Sequence, residues 1–267
     1  EDIGALPDRS VTEALQRVPG VSINRFAAGV DPDHFSTEGS GVVVRGLNFV
    51  RSELNGRDTF SANNGRALSF ADVPSELMGG VDVFKSPSAD MIEGGISGTV
   101  NLRTRLPFDS NKRILSLSVE SSYGDLVEKW APTYTFLYSD RFDTPIGEVG
   151  VLGSYVNSKL WTRSDGTQAS NFSCRTNLGG GSATCPNGQK GVWFPRGAAF
   201  RSTDTERDRE GIAGAVQWKS NDGTMQASLQ YLRSESKQKW TEHAMEIATD
   251  NVTSNADSRP VTGTTFT

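Results

Sequence analysis

Two cysteines, Cys174 and Cys185, and two histidines, His34 and His243, are the residues of this 267-residue sequence best suited to redox or metal chemistry. The cysteines stand eleven positions apart in CRTNLGGGSATC and close a Gly-rich loop. That spacing allows a disulfide in an oxidising compartment, or two free thiols. Neither histidine lies at ligand spacing from a thiol, so no zinc site is expected. No G-x-S-x-G, H-E-x-x-H, P-loop or C-x-x-C pattern occurs, and Gly39-Ser40-Gly41 lacks the third glycine of a dinucleotide loop. The residue types point away from an enzyme and from a resident metal or cofactor.

The elements that would position these residues are not those of an ordinary soluble domain. Apolar residues make up 35%, mean hydropathy is -0.43, and glycine occurs 28 times. No run of about 18 apolar residues offers a membrane helix. That does not make the chain soluble, because outer-membrane barrels alternate polar and apolar residues and escape hydropathy windows. The net charge of -5 argues against nucleic acid as a partner. The sequence opens at Glu1-Asp2 without an initiator Met or a basic-then-apolar leader, as expected where a secretory signal has been removed or left out.

Up to about Phe108, helix and strand signals mix in a small α+β unit. Ser10 can cap a helix with Glu13 three residues on, Val11, Leu15 and Val18 share a face, and Pro19-Gly20 stops it. Short strands are predicted at Val21 to Ile23, Val42 to Gly46, Gly80 to Phe84 and Gly98 to Thr104, with a tight turn at Asn55-Gly56 and a short helix at Pro74 to Met78.

From about Arg113 the pattern becomes a long two-residue alternation. Leu115, Leu117, Val119 and Tyr123 share one face of a first strand, and Trp130, Tyr134, Phe136 and Tyr138 one face of a second. A third is predicted from Gly147 to Ser158. A fourth carries Ile212, Val216 and Trp218, and a fifth Met225, Ala227, Leu229 and Tyr231. Short connections at Phe142 to Ile146 and Asn221 to Thr224 contrast with a long loop from about Lys159 to Asp208. Short turns at one end and long loops at the other suit an outer-membrane barrel, as do aromatics near strand ends. A soluble β-sandwich also alternates, so this region leaves a secreted β-rich binding or adhesion protein open.

The first region decides between them. LPDRSVTEALQRVPGVSI resembles the opening plug motif of TonB-dependent outer-membrane transporters. Val43-Val44-Arg45-Gly46-Leu47 resembles that family's I-R-G strand end, and Leu54-Asn55-Gly56-Arg57 the hairpin after it. Val81 to Pro87 is similar to V-E-V-x-K-G-P, with Ser86 in place of the common Gly. Glu93 to Leu102 is similar to the segment that ends the plug, and Pro107-Phe108-Asp109 to the link into the barrel. Four motifs in order over about a hundred residues are specific where each alone would be weak.

The resemblance implies an α+β plug domain over 1–108. Residues 109–267 would then be the first part of an antiparallel transmembrane β-barrel of about 22 strands around a plugged lumen. It implies active uptake of a nutrient across the bacterial outer membrane, energised through an N-terminal box by the TonB-ExbB-ExbD complex. That box is expected before Glu1, and the remaining strands on a longer chain. A carbohydrate or other organic solute is the expected cargo, with a siderophore, another iron chelate or haem as the alternative. Surface or periplasmic accessory proteins are further expected partners. Solute-binding candidates lie in plug loops expected to point outward, Phe26 to Glu38, Asn48 to Ser52 and Arg57 to Arg66. Arg51, Arg57, Asp58, Asn63 and Asn64 offer hydrogen bonds and Phe60 a stacking face. Trp161, Trp193 and Phe194 in the long loop offer further stacking faces. Arg45, Glu76, Arg103 and Arg105 are expected to meet a polar lumen wall.

Overall fold

The computed structural model describes residues 10–27, 31–35, 37–39, 41–58, 70–169, 171–176 and 183–248. The chain divides into two compact units, residues 1–163 with 204–240 and residues 164–203 with 241–267. No helix among the described residues is long and apolar enough to cross a membrane, which leaves crossing by strands untouched.

The first unit starts with helix α1 (Val11–Leu15), where Ser10 Oγ accepts the backbone N–H of Glu13 at 3.3 Å. The helix ends at Gln16 rather than running to Pro19. Proline disfavours helical geometry in the residue before it, so the last turn unwinds early. Strands β1 (Val21–Asn24), β2 (Phe26–Ala27), β3 (Asp31–Phe35) and β4 (Gly41–Val44) form two antiparallel pairs, β1 with β4 and β2 with β3. Strands β5 (Val50–Leu54), β6 (Arg57–Asp58), β7 (Met78–Phe84) and β8 (Gly98–Thr104) make a four-stranded sheet in the order β6-β5-β8-β7, with β5 parallel to β8.

Asn55 (φ 52°) and Gly56 (φ 74°) form the expected tight turn between β5 and β6. Arg45 (φ 54°) and Gly46 (φ 79°) form a second one, where the sequence suggested only the end of a strand. The helix expected at Pro74 to Met78 is a 3-10 turn, Ser75–Leu77, and Met78 already belongs to β7. Gly79 and Gly80 are poor helix formers, and the chain here pairs with β8 instead, Met78 opposite Thr104 and Gly80 opposite Arg103, with Gly79 at a register shift between them.

Strands β9 (Ile114–Gly124), β10 (Lys129–Thr144), β11 (Gly147–Ala169), β12 (Phe172–Arg175), β13 (Ala183–Thr184), β14 (Lys190–Pro195), β15 (Gly197–Lys219) and β16 (Gln226–Ala248) follow. Five of them form a wall, ordered β9-β10-β11-β15-β16. In it Tyr134 stands opposite Val119, Phe136 opposite Leu117 and Tyr138 opposite Leu115, so one face carries an apolar stripe across the strands. That stripe is bare, with Leu117 76% exposed.

The opposite face meets the α+β region that carries α1 and β1 to β8, the expected plug. Its Val156 and Ala213 are buried in one hydrophobic cluster with Val11, Leu15, Leu77 and Leu102. Glycine makes the approach possible, because a Cβ on Gly211 would lie 2.5 Å from Leu77 Cδ1. At Gly150 it would lie 2.6 Å from Pro107 Cβ. The link into the wall is pinned there too. Gln217 Oε1 accepts the Phe108 N–H at 2.8 Å, and the Arg141 guanidinium lies 4.7 Å from the Phe108 ring centre.

The long loop expected from Lys159 to Asp208 is mostly strand. β11 runs on to Ala169 and β15 begins at Gly197, while β12, β14 and β13 form a small sheet between them. Apolar periodicity missed these extensions because charges, not apolar groups, alternate along them. Arg163 bonds Asp204 at 2.5 Å, and Lys159 bonds Glu206 at 2.9 Å and Asp208 at 3.2 Å across the ladder. The first connection, residues 125–128, is a short turn. In the second unit Cys174 and Cys185 are joined by a disulfide, with Cα atoms 5.5 Å apart.

Candidate functional site at the contact of plug and wall

Strand β15 alternates with period two from Arg207 to Gln217. Arg207, Arg209, Gly211, Ala213, Ala215 and Gln217 are buried, while Glu210, Ile212 and Val216 are exposed. Successive side chains on a strand point to opposite faces, so both arginines are aimed at the plug by geometry alone. They share the Ala71 carbonyl as an acceptor, whereas Glu38 accepts a hydrogen bond from Arg209 and is only an ion-pair partner of Arg207. Glu38 Oε2 lies 3.2 Å from Arg207 Nε, and its Oε1 accepts from Arg209 Nη2. The Ala71 carbonyl accepts from Arg207 Nη1 at 3.2 Å and from Arg209 Nε at 2.7 Å.

Arg207 also donates to Gln238 on β16 at 2.5 Å, with Asp72 Oδ1 at 3.8 Å. Both guanidiniums and Glu38 are buried, Arg209 to 3% side-chain exposure. Losing one partner of a buried pair leaves a charge without compensation and costs about 3–5 kcal/mol. Smaller contacts flank this node. Thr37 and Thr162 hydroxyls are 3.0 Å apart, Ser234 donates to the Asp72 carbonyl at 2.8 Å, and Asn55 donates to Gln230 at 2.7 Å.

Charge on the plug is arranged otherwise than expected. Arg45 donates to Ser86 at 3.3 Å, Arg103 pairs with Asp82 at 2.7 Å, and Arg105 donates to the Met78 carbonyl at 3.4 Å, so all three bind within the plug. Glu76 does feel the wall. Burial pushes its carboxyl above the usual range and Glu120 adds to the rise, against the opposing pull of its own backbone, Ser75 and Arg209.

Arg51 and Asp58 come together at 2.6 Å, with Glu53 on the same guanidinium at 2.8 Å and the Glu93 carbonyl accepting at 3.1 Å. The Glu53 hydrogen bond, then Asp58, raises the Arg51 pKa against its partial desolvation. Arg57 is exposed beside them, and Phe60, Asn63 and Asn64 lie outside the described residues. Trp161 shares a face of β11 with exposed Tyr155 and sits under Lys129 Nζ, 3.8 Å from its ring centre. Trp193 stands opposite Cys174 in the small sheet of the second unit and is half exposed. That unit also holds an open cavity of 620 Å³ lined by Asp165, Phe200, Arg201, His243 and Met245, among others. Among the described residues, no three His, Cys, Asp or Glu side chains gather as a metal site.

Sequence reasoning missed Arg207 and Arg209, and placed Glu38 only at the end of a candidate solute-binding loop. The signal was Arg207-Asp208-Arg209-Glu210, in which charge itself alternates with period two. Residues 1–99 match the model of the TonB-dependent Receptor Plug Domain. These residues form a plug domain of that kind. The antiparallel strands behind it form the five-stranded wall, and Glu38 and Ala71 are where the plug domain and that wall are tied. The chain is similar to a mutant of the ferric enterobactin receptor PfeA from Pseudomonas aeruginosa, at 15% identity and TM-score 0.43 over 79% of this chain and 30% of that one. It is similar also to the siderophore receptor PirA from Acinetobacter baumannii, at 14% identity and TM-score 0.44 over 88% of this chain and 43% of that one. The chain thus spans less than half the length of either. No curated protein matches it.

Proposed function

We propose that this plug and wall belong to a transporter that takes up an organic nutrient, a carbohydrate first of all, across the bacterial outer membrane at the expense of TonB-transmitted energy. The observation that carries the reading is the two-faced wall. One face is bare and apolar, as lipid requires, and the other is tied to the plug by the Arg207, Arg209 and Glu38 node. Solute binds outside at the apical plug segments and the loops after β11, and passes when the TonB-ExbB-ExbD complex pulls on a segment before the plug. The domain limit is drawn at Phe108, where the link is fastened to Gln217 and Arg141. Exposed Phe172 and half-exposed Trp193 on the disulfide-tied sheet support a carbohydrate, since flat aromatic faces suit sugar rings.

The test is a binding and uptake screen of the full-length receptor against oligosaccharides, ferric siderophores, haem and cobalamin, with and without TonB. Saturable, TonB-dependent oligosaccharide uptake is the expected result. Uptake of an iron chelate alone would transfer the assignment to iron acquisition.

A further inference from the structure

Three neighbouring strands, β11, β15 and β16, build the 620 Å³ cleft of the second unit, a volume within the ~300–1,000 Å³ of small-molecule sites. Each strand contributes two residues two positions apart, and such residues share a face. They are Asp165 and Thr167 on β11, Phe200 and Ser202 on β15, and His243 and Met245 on β16. Phe200 and Met245 are bare, at 61% and 66% exposure, and the other four carry hydroxyl, carboxylate or imidazole groups. Arg201, between Phe200 and Ser202, belongs to the opposite face. There it donates to Glu242 at 2.8 Å and to Glu246 at 2.5 Å, residues that alternate with His243 and Met245.

That division decides which ligands the cleft admits. Arg201 is committed to two carboxylates, while the Asp165 and His243 side chains have no hydrogen-bond or ion-pair partner among the described residues. Three carboxylates against one guanidinium make this part of the sheet acidic, and an anionic solute is repelled. A wholly apolar solute would cover four polar groups without pairing them. A neutral ring with C–H groups on its face and hydroxyls on its rim suits both kinds of residue.

We propose that this cleft binds a neutral sugar, with Phe200 as the stacking face and Asp165 as the acceptor of the sugar's hydroxyls. The cleft gives the carbohydrate reading above, on which this rests, a binding site made of other residues than the disulfide-tied sheet. Thr167, Ser202 and His243 supply the remaining hydrogen bonds, and Met245 closes the apolar floor beside Phe200. The same acidity turns away anionic iron chelates, so the cleft also discriminates between the two classes of cargo.

The test is binding of the full-length receptor in detergent micelles to an array of neutral oligosaccharides printed beside their uronic-acid counterparts. Wild type should bind a neutral member at least about tenfold more tightly than the matching uronic acid. F200A and D165N should each weaken that binding at least about tenfold, as expected when a stacking face or a charge-assisted hydrogen bond is lost. D165N should also narrow the gap between neutral and acidic sugars, which a merely structural role for Asp165 would not do. Both side chains are exposed, where replacement leaves folding nearly untouched.

A footprint adds a readout that removes no polar contact. The thiol of M245C should react with a maleimide about tenfold more slowly when the best-bound neutral glycan is present at about ten times its Kd. An unchanged rate, or glycan binding that F200A and D165N leave intact, overturns the cleft while the carbohydrate reading stands. A wild-type receptor that binds no neutral glycan overturns both.

Discussion

The two faces of the five-stranded wall invert the usual relation between polarity and burial. On β15 the covered positions are arginine, glycine, alanine and glutamine, whereas Ile212 and Val216 on the other side are uncovered. In a soluble sheet the same residues would be arranged the other way round. Burial here follows the identity of the neighbour. The plug supplies acceptors for charge, and in the transport reading proposed above the bare side faces lipid, where leucine is at ease and a bare backbone group is not.

The sharpest way to break this contrast is to unpair the covered side. Glu38→Ala should weaken retention of the plug by about 3–5 kcal/mol, as expected for an orphaned buried ion, and limited proteolysis of the intact receptor in membranes would read it. Placing a charge on the bare side comes next. Leu117→Arg should cost about 2–4 kcal/mol of barrel stability near the bilayer midplane, measured by reversible unfolding in lipid vesicles. If Leu117→Arg were harmless and Glu38→Ala too, the distinction between the faces would fail.

Filling the close approach is milder. Gly211→Val should cost about 1–3 kcal/mol through the clash with Leu77, unless the plug shifts, and thermal unfolding would show it. Glu76 sharpens the contrast through pH. Its carboxyl is raised in the folded receptor, so the native state holds its proton more tightly than the unfolded chain does. Stability therefore falls as pH rises from the unfolded value through the folded one. Glu76→Gln should remove that decline, stabilising the plug at neutral pH and changing little in acid. The smallest effect is expected at Arg103→Ala, whose partly exposed pair with Asp82 is worth at most about 1 kcal/mol.

Much of the fold was legible from local signals. The Ser10–Glu13 cap, the Asn55-Gly56 turn and the apolar stripe from Leu115 to Tyr138 each follow from one residue type at one spacing. The Pro74 to Met78 helix misled, because pairing between β7 and β8 outweighs propensity in so short a segment. The tall extensions of β11 and β15 were hidden because their alternation is in charge. Of the candidate site, Arg51 and Asp58 were named separately from the sequence as solute-binding residues, and the structure pairs them with each other at 2.6 Å. The meeting of Glu38 and Arg209 was out of reach, since they lie 171 positions apart in the chain. Only the register of β15 against the plug brings them together.

Val156 and Ala213, wall residues buried among those of the plug, have a bearing on how the receptor is made. During synthesis Leu77 emerges long before Ala213, so the plug's apolar face must wait for partners that do not yet exist. Contacts of such long range form late and slowly. The wall is therefore also the template on which the plug completes its core.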